Sequence, residues 1–161
     1  MRCRCFRKSG AIEYEVGTSQ GQVPSTERYD RTMNLHILST APTVEPERYF
    51  LPADKLAHGN PEQRLWPQYT DASGQFFAGV WESEPGAWRV SYTEEEHCRI
   101  LAGRSRLTAT DGTVTEVGPG DEFVIARGYE GVWEVLERTR KTYVIFEALR
   151  LSSDPSATPP R

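Results

Sequence analysis

Residues 79–147 read GVWESEPGAWRVSYTEEEHCRILAGRSRLTATDGTVTEVGPGDEFVIARGYEGVWEVLERTRKTYVIFE. The stretch is a series of short β-type runs divided by turn signals, with almost no helical period. Trp88, Val90 and Tyr92 alternate against Ala87, Arg89 and Ser91. Glu96, Cys98, Ile100 and Ala102 alternate in the same way against His97, Arg99 and Leu101, so each set takes one face of a strand. Gly103 reads as the end of that strand. Asp111-Gly112 lies between alternating runs at 105–110 and 113–117, a strong hairpin signal. Gly118-Pro119-Gly120-Asp121 is a second tight turn, and runs at 122–126, 132–137 and 141–149 complete the set. Many short strands with frequent turns and no long helix predict an all-β chain folded as a closed or double-sheet antiparallel barrel, because closing the sheet removes edges that would otherwise aggregate. The mouth of such a barrel is where inward side chains can hold one ligand.

Outside this stretch the pattern weakens. Residues 34–70 carry prolines at 42, 46, 52, 61 and 67, which argue against a long helix or a central strand and predict an extended arm wrapped over the barrel. Pro52 to Leu56 could form one helical turn, and Trp66 and Tyr69 would pin the arm to the wall. Residues 1–32 read as a flexible extension, 33–151 as the single folded domain with its core at 75–149, and 152–161 as a disordered tail. The change to patterned sequence near Met33 suggests a start there.

The chain has 161 residues and a formal net charge of −4. That balance gives no basic face for a nucleic-acid partner, and no apolar run approaches a membrane span. The opening MRCRCFRK lacks the apolar core of a secretory signal. The cysteines number three, Cys3, Cys5 and Cys98, an odd count that predicts reduced thiols and a cytoplasmic setting rather than a disulfide framework.

The order of pieces then resembles a known pattern. Glu96, six intervening residues and Gly103, then GPGD at 118–121 and Gly128, resemble the two motifs of the cupins. The GVWES strand, Trp88 with Tyr92, EHCRILAG, GPGDEFVIARG, GVWEV and RKTYVIFE resemble more closely the small cupins related to (S)-ureidoglycine aminohydrolase and the EutQ-like proteins. The resemblance covers about residues 49–147. It implies a cupin jelly-roll β-barrel with an extended N-terminal arm and a site at the barrel mouth, where most enzymatic cupins hold a metal on histidines and one carboxylate. Carried over, the carboxylate falls on Glu96. The paired histidines fall near Val90 and Tyr92, and the last ligand at Gly131 or Glu130. Valine and glycine offer no metal-binding side chain, and His36, His58 and His97 have no ligand spacing. The prediction is therefore no cofactor, with a divalent metal such as manganese at Glu96 as the alternative.

What remains is a metal-free set. Glu96 and Tyr92 are the candidates for acid–base work, because a buried carboxylate must be paired, hydrogen-bonded or protonated. The available partners for Glu96 are Tyr92, Arg89 or Lys141, and a purely structural carboxylate is an equal reading. Trp88, Cys98, Trp133, Lys141 and Tyr143 are the candidates for contact with a ligand. The aromatics read more readily as core than as ligand walls, and Cys98 reads more readily as a small core residue than as a nucleophile. Arg138, Arg140, Glu134 and Glu137 read as a solvated face, as does most of the run 94–96. The expected function is binding of a small polar or nitrogen-containing metabolite. The alternatives are an enzyme on a ureidoglycine-like substrate and a homodimeric interaction protein without an active pocket; a homodimer is expected in any case.

Overall fold

The computed structural model describes residues 35–148 and the backbone of two short strands before them, β1 (Arg4–Lys8) and β2 (Ala11–Glu15), which pair antiparallel with each other. The expectations for Met33, for the rest of the extension and for the tail lie outside the described residues. Nine further strands form one curled antiparallel sheet: β3 (Glu47–Tyr49), β4 (Leu56–His58), β5 (Gln63–Thr70), β6 (Phe76–Ser83), β7 (Gly86–Ser91), β8 (Glu95–Ala109), β9 (Val114–Val117), β10 (Glu122–Ile125) and β11 (Glu130–Phe146). No described element is a helix, so none could cross a membrane as a helix.

Two long strands, β8 and β11, organise the rest. They pair with each other over most of their length, and each serves both leaves of the curl. In one leaf their outer ends are flanked by β10 on one side and by β6, β5 and β3 on the other. In the second leaf they are flanked by β9 and by β7 with β4. The leaves face each other across a core in which Trp81 of β6 meets Trp88 of β7 and Trp133 of β11 edge-on, with centroids 6.0 and 5.9 Å away. Edge-to-face contacts of this kind suit the quadrupoles of the rings.

Three expectations need correction. Gly103 does not end a strand; β8 runs through it. The pairing with β11 slips there, between Val135 and Lys141. Gly103 has φ +77°, and a Cβ at this position would lie 2.1 Å from the Arg138 carbonyl oxygen, so only glycine fits the bulge. Past the bulge the inward set changes from Glu96, Cys98 and Ile100 to Ser105 and Leu107, and Ala102 is therefore exposed rather than inward. Second, residues 63–70 are a full strand despite Pro67. The outer neighbour β3 covers only 63–65, and a bulge at Pro67/Tyr69 takes up the missing amide, so the ring sits on an open edge. Third, the segment after Pro52 is a turn with i→i+3 bonds at Lys55 and Leu56 rather than a helical turn, and β4 starts at Leu56.

The arm is held as the aromatics suggested. The Trp66 indole donates to the Val44 carbonyl at 2.9 Å, and Tyr69 packs against His36 and Phe76. The Asp111-Gly112 hairpin forms, with Ser105 opposite Val117 and Thr108 opposite Val114.

Candidate functional site

The alternation that starts at Tyr92 carries Glu94, Glu96 and Cys98 to the interior, all at most 5% exposed. The odd positions of β11 carry Trp133, Lys141 and Tyr143 inward from the neighbouring strand. Register places Cys98 opposite Tyr143 and Ile100 opposite Lys141. The long lysine stem then brings Nζ back toward the Glu96 end of β8.

Lys141 Nζ lies 2.9 Å from Glu96 Oε1 and 3.1 Å from Cys98 Sγ. Its other surroundings are the indoles of Trp133 and Trp81, with ring centroids at 4.5 and 5.3 Å. The ammonium therefore sits almost out of solvent in a cage that includes one carboxylate, one thiol and two aromatic rings. Such a pair gains Coulomb energy in a weakly screening medium but gives up the hydration of both ions, so hydrophobic residues of equal volume would often be as stable or more so. The cage is expensive to build, which motivates a chemical reading of it.

Of the residues singled out from sequence, Glu96, Cys98, Lys141 and Trp133 come together here. Trp88 lies one layer out, edge-on to Trp81 and paired across the strands with Trp133. Tyr143 lies over Gly79, where an added Cβ would meet its hydroxyl at 2.7 Å. Tyr92 packs edge-on against Tyr129, with centroids 6.1 Å apart. Arg89 is not a partner for Glu96: it points outward and donates to the Leu56 carbonyl.

Glu94 is a residue the sequence reading passed over as loop. It is 1% exposed and accepts from the Thr93 amide at 2.7 Å and the Thr93 hydroxyl at 3.1 Å. Burial pushes its carboxyl above the ordinary range against those hydrogen bonds, with a smaller contribution from the Glu96 charge. Extending the even-numbered alternation back from Glu96 would have found it. Gln63, fully buried, was also missed. Its Oε1 accepts from the Trp81 indole at 3.0 Å and the Tyr49 hydroxyl at 2.8 Å.

The family's metal can be tested against this geometry. Glu96 already holds the Lys141 ammonium where a ligand carboxylate would hold a cation. At Gly131, the position of the last ligand, a Cβ would lie 2.3 Å from the Thr108 carbonyl oxygen, so no side chain fits without a backbone shift. Val90 is apolar, Glu130 is exposed, and His97 faces outward. Among the described residues no group of three or more metal-ligating side chains converges. The residues present do not fit the usual cupin metal.

A cleft opens beside the cage. Its volume is about 520 Å³, and it lies along the seam where β9 of one leaf faces β10 of the other. Leu107, Val117, Phe123 and Ile125 form its apolar wall, and the 126–129 turn adds Arg127 and Tyr129. Phe123 packs on Trp133 at 6.3 Å, so the wall of the cleft is one ring away from the cage. Burial, with Asp111 adding to it, holds the Tyr129 phenol above its ordinary value, which keeps it a neutral donor.

Two leaves sharing bent strands, with an inward carboxylate on the first motif and a seam open to one side, define a cupin jelly roll. Residues 70–143 match the EutQ-like cupin domain. Among solved structures, a protein of unknown function of the DUF861 family from Pseudomonas syringae pv. tomato superposes with a TM-score of 0.61 at 22% identity, covering 67% of this chain and 46% of that one. This chain thus spans less than half the length of that protein. The EutQ protein of Clostridium difficile superposes with a TM-score of 0.50 at 19% identity, over 62% of this chain and 74% of that one. A DUF861 family protein from Thermotoga maritima is 34% identical over 40% of this chain and 73% of its own, with a TM-score of 0.39. No curated protein matches the chain.

Proposed function

We propose that this protein binds a small molecule in the seam cleft of the cupin barrel. The observation that carries the reading is the cleft itself, lined from both leaves and within the usual size range of small-ligand sites of roughly 300–1,000 Å³. Its wall is mostly apolar, while Arg127 makes no ion pair with another described residue. That combination suits a ligand with a compact apolar body and one acidic or strongly accepting group, with Tyr129 as a neutral hydrogen-bond donor. It narrows the expectation of a polar, nitrogen-containing metabolite toward amphipathic acids.

The test is thermal shift and calorimetry with small carboxylic acids, amino-acid derivatives and ureides, the last chosen so that an aminohydrolase-type substrate is among the probes. A true ligand at about 100 times its Kd stabilises by roughly 2.7 kcal/mol. Thr115→Trp, on an exposed position of the cleft, should abolish the response while leaving the unliganded melting temperature nearly unchanged. Arg127→Gln should weaken acids and spare their neutral amides. No response from any probe, or a response that survives Thr115→Trp, would defeat the proposal.

A further inference from the structure

We infer that Cys98 and Lys141 form an oxidation-driven covalent cross-link, making the cage a modification site. Three observations place the reacting atoms. The Lys141 amine and the Cys98 sulfur are 3.1 Å apart, already in contact. The Glu96 carboxylate lies 2.9 Å from the same Nζ, in position to take its proton. The indoles of Trp133 and Trp81 close the other sides, limiting competition by water. Cys98 is 0% exposed, so a large thiol such as glutathione cannot reach it; the oxidant must be smaller, a hydroperoxide, which the cleft admits as far as Phe123, the β10 residue paired opposite Cys98.

The chemistry balances with a hydroperoxide as the oxidant. The Cys98 sulfur attacks the peroxide; an S–O bond forms, the O–O bond breaks, and the alcohol leaves with the thiol proton. Sulfur is oxidised by two electrons to the sulfenic acid, and the peroxide is reduced. Lys141 then gives a proton to Glu96, and its freed nitrogen attacks the sulfenic sulfur. An S–N bond forms, the S–O bond breaks, and the hydroxide leaves as water with the second amine proton. Sulfenic acids are known to condense with nitrogen in this way when no second thiol is near. The products are one sulfenamide, one alcohol, one water and a neutral Glu96. The Lys141 charge and the Glu96 charge disappear together, so no ion is stranded in the core.

The test treats the intact full chain with hydrogen peroxide and maps tryptic peptides under non-reducing conditions. The expected result is a peptide containing Cys98 joined to one containing Lys141, with a net loss of two hydrogens, no cleavage after Lys141, and release of both by a thiol reductant. In Lys141→Arg the charge and the cage persist but the linked species should vanish, with Cys98 found instead as sulfinic or sulfonic acid. In Cys98→Ser, cleavage after Lys141 should be complete after peroxide. The inference is overturned if wild-type Cys98 proceeds to sulfinic acid with Lys141 still cleaved. It is equally overturned if Cys98 stays reduced in the folded chain, or if the same link appears in Lys141→Arg. None of these results depends on whether the cleft binds a ligand.

Discussion

Arg140 and Lys141 are neighbours in β11, yet they belong to different electrostatic worlds. Lys141 turns inward to Glu96, where both side chains are at most 3% exposed. Arg140 turns outward, stacks over Trp66 at 4.7 Å, and approaches Glu82 at 3.6 Å. Glu82 also accepts from Arg64 at 2.7 Å and from Arg138 at 3.0 Å. Arg64 extends the cluster to Glu62 and Glu84. In the outer network Glu62, Glu82, Glu84 and Arg64 each meet more than one opposite charge, and Arg138 and Arg140 are partly exposed. The inner pair is held almost wholly out of solvent, so little water can take the place of either side chain. What an ion pair is worth here follows from what replaces it when it is broken, not from its distance.

The largest effect should come from breaking the inner pair on one side. Lys141→Met leaves Glu96 in the core beside apolar groups and should cost about 3–5 kcal/mol in chemical denaturation. Replacing both residues, Lys141→Met with Glu96→Met, should recover most of that loss, because no charge is then left to desolvate. A single variant that loses under about 1 kcal/mol would show that water reaches the cage and would erase the contrast.

Outside, Glu82→Gln keeps the shape and removes the charge that its arginines share. A loss of about 1–2 kcal/mol is expected, since the remaining amide still accepts hydrogen bonds and solvent takes up the rest. Denaturation in 1 M salt should shrink this difference, while leaving the Lys141→Met difference nearly intact. Equal salt sensitivity for both variants would mean that the two regions do not differ in screening.

A third carboxylate sharpens the comparison at the mild end. Asp71 closes the turn between β5 and β6, accepting from the Ser73 hydroxyl and from the amides of Phe76, Gln75 and Ser73. The Ser73 hydroxyl bond, followed by the Phe76 amide, holds its carboxyl down to about 2. Because the folded value lies below the ordinary aspartate value of about 3.9, the stabilising effect is fully present above that value and fades as pH falls toward 2. The melting temperature of Asp71→Asn should therefore lie slightly below wild type at pH 6, with the gap closing between pH 4 and 2. A constant gap across that range would mean the charge is not what the turn uses.

Much of the architecture was legible because alternation and turn chemistry are local. Asp111-Gly112 marked its hairpin, and the phase of Trp88, Val90 and Tyr92 was readable from spacing alone. The strand breaks read at Gly103 and before Lys141 were not real. A bulge and a chain end look alike in sequence, since both use glycine or a polar interruption, and only the partner strand decides between them. β5 was obscured for a similar reason: Pro67 is tolerable because β3 begins only at Glu47, opposite Leu65, a fact of pairing rather than of composition. In the site, strand parity could put Glu96 and Cys98 on one face, but it could not choose among Tyr92, Arg89 and Lys141 as the partner. That choice depended on the register of β8 against β11, fixed far along the chain. The seam cleft had no local signal at all, because its walls come from strands of opposite leaves.

The sharing of β8 and β11 between the leaves also has a consequence for synthesis. β11 is the last of the described strands, and it supplies pairing to β6, β7 and β8 at once. While a ribosome is still translating residues before 130, β6 and β7 both lack the strand that joins them to β8, and Trp81 and Trp88 lack Trp133. The nascent barrel therefore cannot mature one leaf at a time; both wait for the same seventeen-residue strand to emerge.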